Sequence, residues 1–440
     1  HILLIVFSTC SIFSQSLSEK IDAYVLSYVK TNDFSGCVLV ARNDSILFSG
    51  CYGKANFSFD IDNTEGTKFK VGSISKQFTA AAILMLEEKG LLSTNDPITK
   101  YFPAKTISND LTIHHLLTHT SGLVDIYDLQ DFYSFPCIGV NSVEIVDMVL
   151  DQKPYFNPGE RYQYSNGGYV VLARIIEMVS GQAYEDYITN SIFKVLGMNS
   201  SGSGGKNEVV KNLAIGYDPY GYSDVIESED IDYLAKGAGS LHSSCGDLLI
   251  WINSLKDRAI LSKESYTKFF ENYGNNYGYG ISVYKSFGKE VFGHDGRITG
   301  FIGDYLHYIE DNISIIITGN IQTGVADFFR RDIAAIVFNR DYRTSSKTIS
   351  PAEDYPINIK SVPGSYSFGP NFTVFVEFMD GRLQARANQG SYSELVPLID
   401  GRYFNRTLYA YINFIEDDTG VIKKMIWENN EGNTFEGMKK

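Results

Sequence analysis

The sequence predicts an α+β domain over residues 17–340, then a linker at 341–356 and a small all-β module at 357–440. Three observations carry this reading. Strand-like runs lie at both ends of the first region with helical periodicity between them, so its terminal segments can share one sheet. Composition then shifts to Thr344-Ser345-Ser346-Lys347 and Pro351-Ala352-Glu353, which reads as a linker. Beyond it, short β-rich runs alternate with Asp380-Gly381, Asp400-Gly401 and Asp417-Asp418, the spacing of an antiparallel barrel or sandwich.

In chain order, Ile2 to Phe7 is an apolar run leading into Ser11-Ile12-Phe13-Ser14-Gln15-Ser16. It reads as a secretory signal peptide over 1–16 whose basic start is missing, so the protein is expected to be exported, to a periplasm or outside the cell. It is too short to span a bilayer, and no stable membrane span is expected elsewhere. A lipid anchor on Cys10 is disfavoured by the poor lipoprotein signal before it. Helical spacing at Ser18–Lys30 precedes a hairpin of Gly36–Ala41 and Ile46–Tyr52 around Asn43-Asp44. A helix runs from about Ser73 to the Lys89-Gly90 stop. Further helices are expected at Thr112–Leu117, Ser142–Leu150, Gly168–Val179, Tyr184–Leu196 and Cys245–Leu255. Strands are expected at Tyr279–Tyr284, Glu290–Gly293, Phe301–Ile309 and Ile313–Thr318, and the tail adds five more between Phe372 and Glu428.

Hydrophobic residues make up 44% of the 440 and charged residues 20%, ordinary globular values that allow a large core. The formal net charge of −14 argues against nucleic acid as a partner. The five cysteines, Cys10, Cys37, Cys51, Cys137 and Cys245, show no close pairing of the zinc or redox kind. Cys37 and Cys51 lie on opposite arms of the hairpin and could pair in an oxidising compartment; buried thiols are the default expectation.

Three short motifs carry chemistry. Ser73-Ile74-Ser75-Lys76 puts a lysine amine one helical turn from a serine hydroxyl, which needs a neighbouring base to become a nucleophile. The same spacing recurs at Ser27, Ser191, Ser203 and Ser265, so the triplet alone says little. Tyr164-Ser165-Asn166 precedes an apolar helix. A tyrosine whose pKa is lowered by nearby ammonium groups can act as a general base, and Asn166 can hold the lysine. Tyr273-Gly274-Asn275 and Tyr411-Ile412-Asn413 share that pattern. Gly293-His294-Asp295-Gly296-Arg297 contains the only His-x-Gly in the chain, with glycines that let a ligand approach the backbone. His115 and His119, a turn apart, are a weak alternative as a metal pair.

Together these motifs closely resemble the serine β-lactamase and penicillin-binding-protein family, with its Ser-x-x-Lys, Tyr-x-Asn and His-x-Gly signatures. The resemblance extends to Thr67–Pro103, His115–Leu123, Asn157-Pro158-Gly159-Glu160, Leu196-Gly197-Met198, Gly237–Leu241 and Gly293–Phe301. The nearest branch is that of class C β-lactamases, D-peptidases and esterases (serine peptidase S12-like). It implies a β-lactamase/transpeptidase-like domain, an antiparallel sheet with flanking helices plus a helical region, followed by the small barrel-like domain. It also implies Ser73 as the acylated nucleophile, Lys76 as its amine partner, Tyr164 as general base and Asn166 as support. His294 takes the place of the third-motif lysine and Gly296 keeps the strand open. Backbone N–H groups of Ser73 and Arg297 form the oxyanion hole. No metal or organic cofactor is implied.

The third motif departs from Lys-Thr-Gly. Asp295 would repel a substrate carboxylate if it faced the site, with Arg297 able to compensate. The expected function is therefore an exported serine hydrolase of DD-carboxypeptidase/esterase type, acting through an acyl-enzyme on an ester or D-amino-acid peptide, with weak β-lactam turnover. A class C-type β-lactamase is the alternative enzyme. A catalytically weak cell-wall-binding protein, or an assembly protein using its tail, is the alternative of another class. The partner is a small-molecule or peptide substrate, with the cell wall as a further candidate.

Overall fold

The computed structural model describes residues 15–43, 45–130, 132, 140–203, 209–229, 231–343, 349–355, 359–370, 372–388, 390, 392–430 and 432–440. The leader-like run through Ser14 with Cys10, Cys137, the turn residue Asp44 and the 344–347 part of the linker lie outside them.

One six-stranded sheet organises the first domain. Its spatial order is Ser282–Ser286, Lys289–Ile298, Phe301–Tyr308, Ile313–Gly319, Gly36–Arg42 and Ser45–Tyr52. Every pairing is antiparallel, so the N-terminal hairpin docks beside the last strand, as the strand pattern predicts. Residues of the two central strands Phe301–Tyr308 and Ile313–Gly319 are all buried. Alternation sends Leu39, Tyr305 and Ile316 into one core and Val38, Val40, Leu306, Ile315 and Ile317 into the other. Helices Leu17–Val29 and Ala326–Val337 cover the second face; the helical region, centred on Ser75–Glu88, covers the first.

Helix Ser75–Glu88 buries 11 of its 14 residues, including Lys76, so the site's lysine sits in a core helix. Ser73 lies just before it in a 3-10 turn, Gly72–Ile74, rather than opening it. The third-motif strand runs on to Ile298, so His294 to Arg297 are inside a strand. The strand expected from Tyr279 begins at Ser282, because Gly280 adopts φ +70° and packs on the Lys76 carbonyl. Helix Tyr184–Leu196 is interrupted by a π-helical turn at Thr189–Phe193. Helices Lys263–Phe270 and Ala326–Val337 were not expected; the second has no side-chain cap to mark its start. Among the described residues no helix is long and apolar enough to cross a membrane.

Cys37 and Cys51 are directly opposed in the hairpin and form a disulfide. This corrects the buried-thiol expectation: the register puts the two Cα atoms 4.1 Å apart. The bridge spans 14 residues, a loop whose closure stabilises a fold by about 3 kcal/mol. Cys51→Ser is therefore expected to lower unfolding free energy by about that amount in a urea titration. Dithiothreitol should destabilise the wild type and leave the variant unchanged.

The tail is a nearly closed nine-stranded antiparallel sheet whose strands run from Gly364 to Lys439. Tyr366, Val376, Leu383, Tyr403, Phe414 and Met425 fill its interior. A loop of this barrel locks it to the first domain. Arg406 is 2% exposed and its Nε donates to Asp33 Oδ1 at 2.9 Å, with Asp33 fully buried. The remaining guanidinium nitrogens donate to the carbonyls of Asn32, Tyr220 and Asp224. Leu398, Phe404 and Tyr409 join the core beneath helices Leu17–Val29 and Ala326–Val337.

Candidate active site

The three motifs meet. Lys76 Nζ lies 2.9 Å from Ser73 Oγ, 2.8 Å from Asn166 Oδ1 and 2.7 Å from the Ala238 carbonyl. Tyr164 donates its hydroxyl to Ser73 Oγ at 2.8 Å. Asn166 is itself oriented by Asp125, which accepts from its backbone N–H at 2.7 Å and from its Nδ2 at 3.0 Å. With Nδ2 committed to a carboxylate, Oδ1 must face the lysine.

The lysine has 0% exposure, and burial pushes its pKa down to about 7 against the pull of Asp125 and Asp295. Near neutral pH a large share is therefore the free amine. That form has two N–H donors and one lone pair. The two donors match the two carbonyl oxygens of Asn166 and Ala238, leaving the lone pair for the Ser73 hydroxyl proton. Tyr164 differs from the expectation of a lowered pKa. Burial drives it well above the ordinary phenol value, so the ring carries its proton and donates to the serine. Lys76, not Tyr164, is the group able to take the Ser73 proton in the free enzyme.

His294 is 3% exposed, and burial lowers its pKa to about 4, so it is neutral. Its Nδ1–H donates to the Asp295 carbonyl and its Nε2 accepts from the Tyr277 hydroxyl at 2.9 Å. It shares the Ser73 pocket but adds no positive charge there, unlike the lysine it replaces. Asp295 is exposed at the pocket rim. Desolvation disfavours its anion, but His294, Arg330 and Arg297 outweigh that and hold its pKa below the usual carboxylate range. The Arg297 guanidinium is engaged by Asp327.

Gly296 permits the backbone contact on which the pocket is built. A Cβ there would fall 2.0 Å from the Val71 carbonyl oxygen and 2.9 Å from the Ser73 nitrogen. One on Gly72 would fall 2.8 Å from the Arg297 nitrogen. The Ser73 and Arg297 amides are thus brought side by side at the nucleophile, where an oxyanion would form.

Sequence reasoning missed Asp125, Tyr277 and the Ala238 carbonyl, all of which reach the site only through tertiary packing. It read His119 only as half of a weak metal pair, whereas the ring lies 4.1 Å from that of Tyr164. His119 accepts from the Ser165 N–H, and His115 faces Thr112, so the two do not converge as a metal pair. Among the described residues there is no group of three or more potential metal ligands.

The sequence pattern of the Beta-lactamase family matches residues 21–349. The chain belongs to the beta-lactamase family. It is similar to penicillin-binding protein 4* of Bacillus subtilis (strain 168), at 30% identity over 426 residues, 90% of this chain and 94% of that one. Among solved structures it resembles the octameric penicillin-binding protein homologue from Pyrococcus abyssi (TM-score 0.66, 24% identity, 96% of this chain and 99% of that one). It also resembles the D-amino acid amidase of Ochrobactrum anthropi SV3, with TM-score 0.62, 24% identity and coverage of 73% and 97%. This beta-lactamase-family chain is a serine hydrolase with a β-lactamase/transpeptidase-like fold and a barrel-like C-terminal sheet.

Proposed function

We propose that the chain hydrolyses a carboxylate-free ester or D-amino-acid amide or peptide through an acyl-enzyme on Ser73. The observation that carries this is the third motif: a neutral His294 beside an ionised Asp295, with Arg297 already engaged by Asp327. Such a rim repels the carboxylate that penicillins and D-Ala-D-Ala peptides bring, at a cost that falls on binding and turnover alike. D-amino acid amidase, a fold neighbour, is named for a carboxylate-free substrate class, which supports the same reading.

In the proposed steps Ser73 Oγ attacks the carbonyl while its proton passes to neutral Lys76. Charge gathers on the carbonyl oxygen between the Ser73 and Arg297 amides. Tyr164, hydrogen-bonded to Oγ, hands its proton to the departing alcohol or amine and is reprotonated from Lys76. Water then repeats the sequence on the acyl-enzyme. Export is part of the proposal, supported by the apolar stretch before Gln15 and the Cys37–Cys51 bridge.

The test compares a D-Ala-D-Ala peptide with its C-terminal amide, alongside a short p-nitrophenyl ester and a chromogenic cephalosporin. The amide and ester should be the faster substrates. Asp295→Asn also removes part of the field on Lys76, which acts on both substrates alike, so the readout is the ratio: kcat/KM on the free carboxylate should rise about fivefold relative to the amide, the scale of one exposed like-charge contact. Cephalosporin turnover above that of the ester would replace this reading with a β-lactamase.

A further inference from the structure

A second cavity opens next to the nucleophile's pocket. It has a volume of about 560 Å³, against about 420 Å³ for the pocket at Ser73, and Arg297 lines both. One wall belongs to the catalytic domain and includes Tyr127, Tyr220 and Asp218. The other belongs to the barrel and includes Asp380, Arg382 and Gln384. Tyr127 also donates its backbone N–H to Asp125, the carboxylate that orients Asn166. The cleft thus borders the catalytic cluster at two points.

Its walls are fixed before any ligand arrives. The Arg406–Asp33 lock holds the barrel in place. At the cleft itself Arg382 stacks 3.4 Å from the Tyr220 ring centroid and donates to Glu394 at 2.9 Å. The Glu394 carboxylate also accepts from the Gly221 N–H at 2.8 Å. A volume in this range, with walls held by these paired groups, is what a binding site needs.

Charge then selects the occupant. Both cations of the cleft are committed to carboxylates, Arg382 to Glu394 and Arg297 to Asp327. Asp380 is exposed on its turn and has no hydrogen-bond or ion-pair partner among the described residues. Asp218 adds a carboxylate on the facing wall. We propose that this interdomain cleft is a substrate subsite that binds the ammonium-bearing part of an extended peptide while its scissile carbonyl lies at Ser73. The inference rests on the peptide side of the function proposed above. It makes the barrel a part of the substrate site rather than a neighbour of it.

The probes are two D-alanyl-terminated tetrapeptide amides, one with a free lysine and its twin with that lysine Nε-acetylated. Each is tested with the full-length protein both as a substrate and as a competitive inhibitor of p-nitrophenyl ester hydrolysis. The lysine peptide should inhibit about fivefold more tightly than its twin, the size of one exposed ion pair. Asp380→Asn, tolerated at φ +51°, should erase that preference. Gln384→Trp, which fills the cleft, should weaken both peptides by more than about tenfold. Equal inhibition by the twins, or a preference that survives Asp380→Asn, overturns the cleft proposal even if both peptides are hydrolysed. Asp380-dependent inhibition without hydrolysis keeps the cleft and instead sinks the D-peptide reading.

Discussion

Ser73→Ala is expected to cut hydrolysis of a short p-nitrophenyl ester by at least about 10⁴-fold, to the background left by binding and oxyanion contacts. Lys76→Met should cost a similar factor, because the serine then has no base within reach. The pH profile separates the two candidate bases. Lys76 acts only as the free amine and its pKa lies at about 7. Wild-type kcat/KM should therefore be low in acid, rise through pH 7 and level off above it. Tyr164→Phe should lower the rate yet leave that midpoint in place. A profile still climbing at pH 10 would instead assign the base to the phenol, whose pKa burial raises. Lys76→Arg should not rescue activity, since a guanidinium stays charged throughout this range.

The largest expected effect on stability lies far from the nucleophile. Arg406→Met leaves Asp33, fully buried, without its charge partner. Breaking such a pair from one side costs about 3–5 kcal/mol, because the remaining charge cannot reach water. The variant should melt well below wild type in a thermal scan, and Asp33→Leu combined with it should recover much of the loss. A melting temperature unchanged within a degree would mean that the apolar contacts of Leu398, Phe404 and Tyr409 suffice to dock the barrel. The Asp380 and Gln384 tests need this docking intact, so Arg406 variants also report whether the cleft exists without it.

Much of this arrangement was legible in the chain. Ser73 to Lys76, Tyr164 to Asn166 and His294 to Gly296 each declare a chemistry through residue type and short spacing, and all three converge. The paired terminal segments of the sheet could be read from β-branched runs such as Ile313 to Ile317. Residues whose role is to orient others could not. Asp125 touches Asn166 across 41 positions, and no local pattern marks an aspartate after a loop as the partner of an amide. The sign of the Tyr164 shift was also out of reach. It depends on burial outweighing a nearby amine, and burial belongs to the fold. The disulfide turned on register: the strands could be foreseen, but not that Cys37 would face Cys51. The cleft at Arg297 was hidden for a similar reason, since its walls come from segments scattered along the chain from Tyr127 to Thr407.

The burial of Lys76 has a consequence for how such a sequence can change. Placing a buried amine in the first turn of a packed helix works against the fold, and a methionine of similar length would suit that environment better. Selection for robustness alone would thus push this position towards loss of reactivity, and only selection on turnover holds the lysine there. Any screen that ranks variants by solubility or melting temperature would enrich inert proteins at this position. An assay of the chemistry has to accompany it.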